Sequence, residues 1–188
     1  MLDFLRPLLT KILNPLAKAL NINPNIITII SPFIALLSAY FYAEGLLILG
    51  AVVILFSGFF DVIDGAIARY HNRTSEFGAF LDSTMDRFSD AIVIIGLVFG
   101  GYCSWLVGIL LVHSALTVSY VRARAESKGV IANVGIAERA VRLIFIAFAS
   151  FVAFFTSQIY FEYIMIFLVI LSYITVAQRI YYTYKKMD

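Results

Sequence analysis

The sequence predicts an all-α integral membrane protein, with six transmembrane helices preceded by an N-terminal amphipathic interfacial helix. Three observations carry this expectation. Of 188 residues, 62% are hydrophobic and 14% charged, where an ordinary soluble domain has about a quarter charged. The mean hydropathy of +0.93 excludes a disordered chain. Six apolar stretches then recur at the length of helix, about 20 residues, that crosses a hydrocarbon core about 30 Å thick. These runs are too long for barrel strands, and open sheet edges cannot face lipid. No room remains for a separate soluble domain, so residues 1–188 read as one membrane domain, with 1–20 as the interfacial helix and 21–188 as the six-helix core.

On a helical wheel, Phe4, Leu5, Leu8, Leu9, Ile12, Leu13, Leu16 and Leu20 share one half, and Asp3, Arg6, Thr10, Lys11, Asn14 and Lys18 the other. Such a segment lies on a membrane surface, here expected to be broken near Pro7 and Pro15. A signal peptide is the alternative, but its apolar stretch should be uninterrupted and end in a small-residue cleavage site. The six spans follow at 26–43, 46–68, 79–100, 103–122, 140–157 and 160–180, punctuated by Gly45, Gly100–Gly101 and Gln158.

Charge placement sets the topology. Of the 14 Lys and Arg, Arg87 lies one to two turns into span three, and the other 13 precede the first span, lie around the loops after spans two and four, or end the chain. The opposite loops, around Glu44–Gly45, Gly100–Trp105 and Thr156–Tyr163, hold none. The positive-inside rule therefore expects a multi-pass protein of the cell membrane with both termini in the cytoplasm. A net charge of +2 gives no footprint for nucleic acid, and one cysteine, Cys103, forms neither an internal disulfide nor a zinc cluster.

The acids are more informative. Asp61, Asp64, Glu76, Asp82, Asp86 and Asp90 fall within one thirty-residue stretch, at the cytoplasmic ends of spans two and three. Carboxylates at membrane depth pair, bind ions or line a polar cavity. On helices, Asp61 and Asp64 lie about 60° apart and Asp82 and Asp86 about 40° apart, so each pair projects from one face. Two facing pairs make an all-oxygen site suited to Mg²⁺ or Mn²⁺. A salt-bridged polar seam is the plain alternative, although only Arg69, Arg73 and Arg87 are near in sequence to neutralise six acids. Asp90 is expected to pair with Arg87, Glu76 to cap the third helix, and His113 to be a hydrogen-bonded core histidine.

The stretch Asp61-Val-Ile-Asp64-Gly65-Ala-Ile-Ala68-Arg69, then eight residues to Gly78, three to Asp82 and three to Asp86, resembles the signature of the CDP-alcohol phosphotransferase family. The six-span layout is similar too, so the resemblance extends over nearly the whole chain. It implies a transferase of phospholipid biosynthesis that moves a substituted phosphate from a CDP-lipid to a hydroxyl acceptor, releasing CMP. It implies a homodimer and two divalent metal ions per site, facing the cytoplasm. By this resemblance Asp61, Asp64, Asp82 and Asp86 are metal ligands, and Asp86 is also the base that takes the acceptor's proton. Gly65 lets the cytidine approach the backbone closely, and Arg69 offers a planar fork to a diphosphate oxygen or the cytosine carbonyl. Asn25, Thr28 and Ser75 look like further contacts to the CDP-lipid. Two metal ions about 4 Å apart suit such chemistry because they offset charge on both attacking and leaving oxygens.

The segments Ser119-Tyr-Val-Arg122-Ala-Arg124-Ala-Glu126 and Gly135-Ile-Ala-Glu138-Arg139-Ala-Val-Arg142 resemble the branch of this family whose acceptor is inositol 1-phosphate. Arg122, Arg139 and Arg142 are then expected to hold the acceptor's unreacting phosphate, with Lys128 and Arg179 as weaker candidates. Positive-inside topology with snorkelling side chains could alone account for these cations. Diacylglycerol and archaeol donors would present the same CDP head and an apolar body. The alternative acceptor is glycerol 3-phosphate or another small alcohol, though the Lys-rich segment expected for glycerophosphate is missing. A cation transporter fits less well, since the acids stop at one membrane edge, and a non-catalytic lipid-binding protein would not need four ordered aspartates.

Overall fold

A computed structural model describes residues 6–188, with side chains from Leu13 onward. Met1–Leu5 lie outside the described residues, including Asp3, Phe4 and Leu5 of the expected interfacial helix, as do the side chains of Arg6, Leu8, Leu9, Thr10, Lys11 and Ile12. Among the described residues seven helices follow in order: α1 (Arg6–Ala19), α2 (Pro24–Ala43), α3 (Leu47–Tyr70), α4 (Glu76–Phe99), α5 (Trp105–Glu126), α6 (Arg139–Phe155) and α7 (Gln158–Met187). No strand occurs among the described residues.

Each expected apolar span corresponds to one helix from α2 to α7. The largest difference is at the end of α7, which continues past residue 180 to Met187, carrying Lys185 and Lys186 in its last turn. Four helices, α2, α3, α5 and α7, are long and apolar enough to cross a membrane. The other two fall short for different reasons: α4 carries Glu76, Asp82, Asp86, Arg87 and Asp90, and α6 has 17 residues. Bulky apolar side chains point outward, with Phe99 79% and Phe155 77% exposed. That inversion of the soluble pattern is what a lipid-facing surface requires, and the chain is a membrane protein.

Local chemistry starts the helices. Asn23 caps α2, accepting from the Asn25 amide at 3.1 Å, and Pro24 takes the first turn where no amide hydrogen is needed. Ser75 caps α4, accepting from the Gly78 amide at 3.0 Å. The cap is therefore Ser75 and not Glu76, which occupies the first helical position, where its charge suits the dipole.

Helices α3 and α4 both pack on α2, α5 packs on α7, and α6 lies against α3 and α7. A larger core includes Tyr42, Ile54, Leu97, Leu111, Phe161, Met165 and Leu168. Close approach relies on small residues: a Cβ on Gly96 would run into the backbone of Ala39, so α2 and α4 meet nearly backbone to backbone.

A smaller core determines where α1 goes. Leu13 and Ala17 are buried with Ile27 of α2 and Ile63, Ala66 and Ile67 of α3. Part of the apolar stripe thus faces protein, while Leu16 stays exposed. The helix also runs unbroken through Pro15, correcting the expected interruption. His71, just past α3, donates from Nε2 to the Ala17 carbonyl at 2.8 Å and ties α1 to the end of α3.

The segment before α6 is pinned to α7. Thr175 Oγ1 accepts from the amides of Ile136 at 3.1 Å and Ala137 at 2.9 Å, and Arg179 Nε donates to the Val134 carbonyl at 2.9 Å. Gly135 makes the turn at φ 121°, a conformation side-chain-bearing residues rarely adopt. These contacts fix the point at which Arg139 begins α6.

Candidate active site

On α3, the residues Asp61, Asp64, Gly65, Ala68 and Arg69 recur at helical spacing and face one side, and on α4 so do Gly78, Asp82 and Asp86. The two faces meet at one end of the bundle. One carboxylate oxygen from each of Asp61, Asp64 and Asp82 lies within 4.8 Å of the others. Asp64 is buried, and its Oδ2 accepts from the Thr28 hydroxyl at 2.6 Å. Three converging carboxylates form a hard, anionic donor set, which fits Mg²⁺ or Mn²⁺ and not the softer metals.

Asp86 stands one turn beyond this group and is differently engaged. Its Oδ1 accepts from Arg139 Nη1 at 2.8 Å, and the same nitrogen lies 2.9 Å from Asp61 Oδ2. Arg87 lies 3.6 Å from the other Asp86 oxygen and also donates to the Ser83 carbonyl.

A cavity of about 390 Å³ opens on one side of the carboxylates, lined by Asn25, Thr28, Asp61, Asp64, Gly65, Arg69, Ser75, Gly78 and Asp82. All five residues expected to contact the CDP-lipid therefore border one space. Their polar atoms are not all free. The Thr28 hydroxyl serves Asp64, and the Ser75 hydroxyl caps α4. The space above Gly65 holds the Arg69 guanidinium, since a Cβ there would lie 3.1 Å from Arg69 Nη1. Gly78 allows Ser75 and Asn25 to approach, because its Cβ would meet Ser75 Oγ at 3.0 Å and Asn25 Oδ1 at 3.2 Å.

A second cavity, about 250 Å³, opens on the Asp86 side and is lined by Asp86, Arg87, Ser119, Arg122, Glu138, Arg139, Arg142 and Arg179. The structure brings Arg122, Arg139 and Arg142 together here, with Arg179 beside them and Lys128 outside the lining. Arg122 pairs with Glu126 at 2.8 Å. Arg142, buried, binds Asp90 Oδ2 and donates to the Ala137 carbonyl at 3.2 Å. Arg179 donates to the carbonyls of Val134 and Val118, the latter at 2.7 Å, and so holds the cavity wall.

Two expectations need correcting here. Asp90 pairs with Arg142 and with Arg139 Nε, the latter at 3.3 Å, and not with its sequence neighbour Arg87. Asp90 and Arg139 lie 49 positions apart, and nothing in the sequence signals their pairing. His113 is hydrogen-bonded, its Nδ1 lying 2.8 Å from the Tyr173 hydroxyl, but it sits on the outer surface and not in the core.

With this geometry in view, the likenesses to known proteins become specific. The family model for CDP-alcohol phosphatidyltransferase matches residues 21–177. The chain is 43% identical over 187 residues, all of its length and 96% of the relative's, to an archaetidylinositol phosphate synthase of Methanothermobacter thermautotrophicus. The crystal structure of Mycobacterium tuberculosis phosphatidylinositol phosphate synthase with CDP-DAG bound superposes at a TM-score of 0.80, with 29% identity, covering 93% of this chain and 94% of that one. The same enzyme in complex with manganese and citrate gives 0.78 at 29% identity, covering 94% and 88%.

Proposed function

The chain belongs to the CDP-alcohol phosphatidyltransferase family and is a transferase, and on that premise we propose that it moves a diacylglycerol- or archaeol-type phosphatidyl group from a CDP-lipid to inositol 1-phosphate, releasing CMP. The observation that carries this reading is the two-sided arrangement of the carboxylates. One flank is the cavity bordered by Gly65 and Arg69, and the other is the cavity lined by Arg122, Arg139, Arg142 and Arg179. The names of the similar proteins support the acceptor, and the CDP-DAG complex of the mycobacterial enzyme supports the donor.

Asp61, Asp64, Asp82 and Asp86 would hold two Mg²⁺ or Mn²⁺ ions. Divalent cations so bound offset charge on the attacking and leaving oxygens of a phosphoryl transfer. Arg69 donates to a diphosphate oxygen or the cytosine carbonyl, and Gly65, Asn25 and Ser75 shape the space around the CDP head. Thr28 acts through Asp64, holding that carboxylate with its hydroxyl. On the other flank Arg122, Arg139 and Arg142 hold the acceptor's own phosphate, which does not react. An acceptor oxygen then attacks the lipid-bearing phosphorus, Asp86 takes its proton, and the bond to CMP breaks. Gripping a remote phosphate helps because binding energy away from the reacting atoms orients the hydroxyl.

In this proposal residues 1–188 form one domain, α2 to α7 all cross the membrane, α1 lies at its surface, and the protein works as a homodimer. The site faces the cytoplasm, as the one-sided placement of all 14 basic residues supports. The test is release of CMP by the detergent-solubilised protein, given a CDP-lipid and one candidate acceptor at a time. Inositol 1-phosphate should be the best acceptor. Preference for glycerol 3-phosphate would leave the chemistry standing and remove the acceptor.

A further inference from the structure

Arg139 binds carboxylates from two helices at once. Its Nη1 lies 2.9 Å from Asp61 Oδ2 on α3 and 2.8 Å from Asp86 Oδ1 on α4, while Nε reaches Asp90 Oδ1 at 3.3 Å. Its side chain is only 13% exposed, so solvent screens these contacts little. The same side chain lines the arginine-rich cavity beside Arg122, Arg142 and Arg179. Arg139 thus touches both halves of the site.

A guanidinium and a divalent cation compete for the same oxygens. Like charges a few Å apart in a poorly screened site repel strongly, so a cation that takes Asp61 and Asp86 drives Nη1 away from them. The backbone of Arg139 cannot follow, because Thr175 and Arg179 pin the segment before α6. Its Nε can keep Asp90, and Asp90 is in any case also held by Arg142. The freed edge of the guanidinium borders the adjoining cavity, where it needs an anion.

We infer that Arg139 is an exchange cation between the two halves of the site: it holds Asp61 and Asp86 until a divalent cation takes those oxygens, and then serves a phosphate-class anion in the neighbouring cavity. The inference rests on the metal assignment proposed above. It makes cation and anion binding mutually reinforcing by the same factor in each direction, as linkage requires. A static clamp between α6 and the two acidic helices makes the opposite prediction, since its removal would loosen the carboxylates and weaken cation binding.

The experiment uses the full chain in detergent, with Mn²⁺ titrated by electron paramagnetic resonance and inorganic phosphate by calorimetry. In the wild type, saturating Mn²⁺ should raise phosphate affinity about tenfold, and phosphate should tighten the weaker Mn²⁺ site equally. Arg139→Gln should tighten that Mn²⁺ site without phosphate, and shrink the coupling to within about twofold. Arg142→Gln, which touches neither Asp61 nor Asp86, should weaken phosphate binding yet keep both the coupling and the Mn²⁺ affinity. If Arg139→Gln does not fold, Arg139→Lys, which keeps the charge but loses the fork, should give a smaller shift in the same sense. Weaker or unchanged Mn²⁺ binding in the Arg139 variant, or phosphate binding in the wild type that ignores Mn²⁺, overturns the inference. An unaltered Mn²⁺ stoichiometry in Asp61→Asn sinks the metal assignment and this inference together. Coupling to phosphate without turnover of inositol 1-phosphate upholds the inference and removes only the acceptor.

Discussion

The Thr28 hydroxyl donates to Asp64 Oδ2 at 2.6 Å, linking the first turns of α2 to the acidic end of α3. Both residues are buried, and they lie 36 positions apart in the chain. A buried carboxylate that loses a donor keeps its desolvation penalty without compensation, so this contact bears on both stability and the aim of Asp64. Thr28→Val keeps the shape and deletes the donor. It should lower stability by about 1–3 kcal/mol and weaken Mn²⁺ binding measurably. Thr28→Ser should restore most of both, and a fully wild-type Mn²⁺ titration in the valine variant would refute the positioning role.

Removing metal, or a carboxylate that holds it, should stop catalysis. Asp61→Asn and Asp82→Asn retain shape but lose the charge a hard cation needs. CMP release should vanish in either variant and in EDTA, and return when Mg²⁺ or Mn²⁺ is added back to the wild type. Undiminished turnover under any of these conditions would contradict the assignment of Asp61, Asp64 and Asp82 as a metal group.

Asp86 lies outside the closest group of three carboxylates and lines the opposite cavity, which suits it to act as base as well as metal ligand. Asp86→Asn should reduce turnover by about 10²–10⁴, the usual effect of losing a general base, while CDP-lipid affinity stays within a few-fold. A parallel collapse of donor affinity would make Asp86 chiefly a metal ligand.

Arg142 tests the acceptor. Losing one charge-assisted contact of about 1.5–3 kcal/mol should raise the Michaelis constant for inositol 1-phosphate roughly ten- to a hundredfold in Arg142→Ala. The donor's constant should barely change, because the donor is gripped on the other flank. Free inositol should be a poor acceptor for the wild type and lose little more in the variant. Equal use of inositol and inositol 1-phosphate by the wild type would rule the phosphate pocket out.

Gly96 tests the packing on which the acidic face of α4 depends. A side chain there meets the Ala39 backbone, which cannot rotate away. Gly96→Val should cost about 1–3 kcal/mol or more through overpacking, visible as a lower midpoint of thermal unfolding in detergent. An unchanged midpoint would mean that α2 and α4 separate without penalty.

What the sequence determined follows from forces that act along the chain. Helix identity and approximate ends could be read because a 20-residue apolar run has few other ways to satisfy its backbone in lipid. The acidic faces of α3 and α4 could be read because helical spacing alone aligns Asp61 with Asp64 and Asp82 with Asp86. The CDP-lipid candidates Asn25, Thr28, Gly65, Arg69 and Ser75 came from motif resemblance, and the fold gathers them around one cavity.

Tertiary structure decided which charges meet. Asp90 was expected to pair with Arg87, three residues before it, but binds Arg139 and Arg142 across the bundle. The outcome depends on α6 starting where Thr175 and Arg179 hold the preceding segment, a constraint set by residues some 40 positions downstream. The helical wheel of the first segment predicts a surface element, and only packing could bury Leu13 and Ala17 against α3. Local periodicity records which face of a helix is apolar or charged. What that face touches depends on contacts between elements far apart in the chain, and for Arg139 those contacts join the two halves of the site.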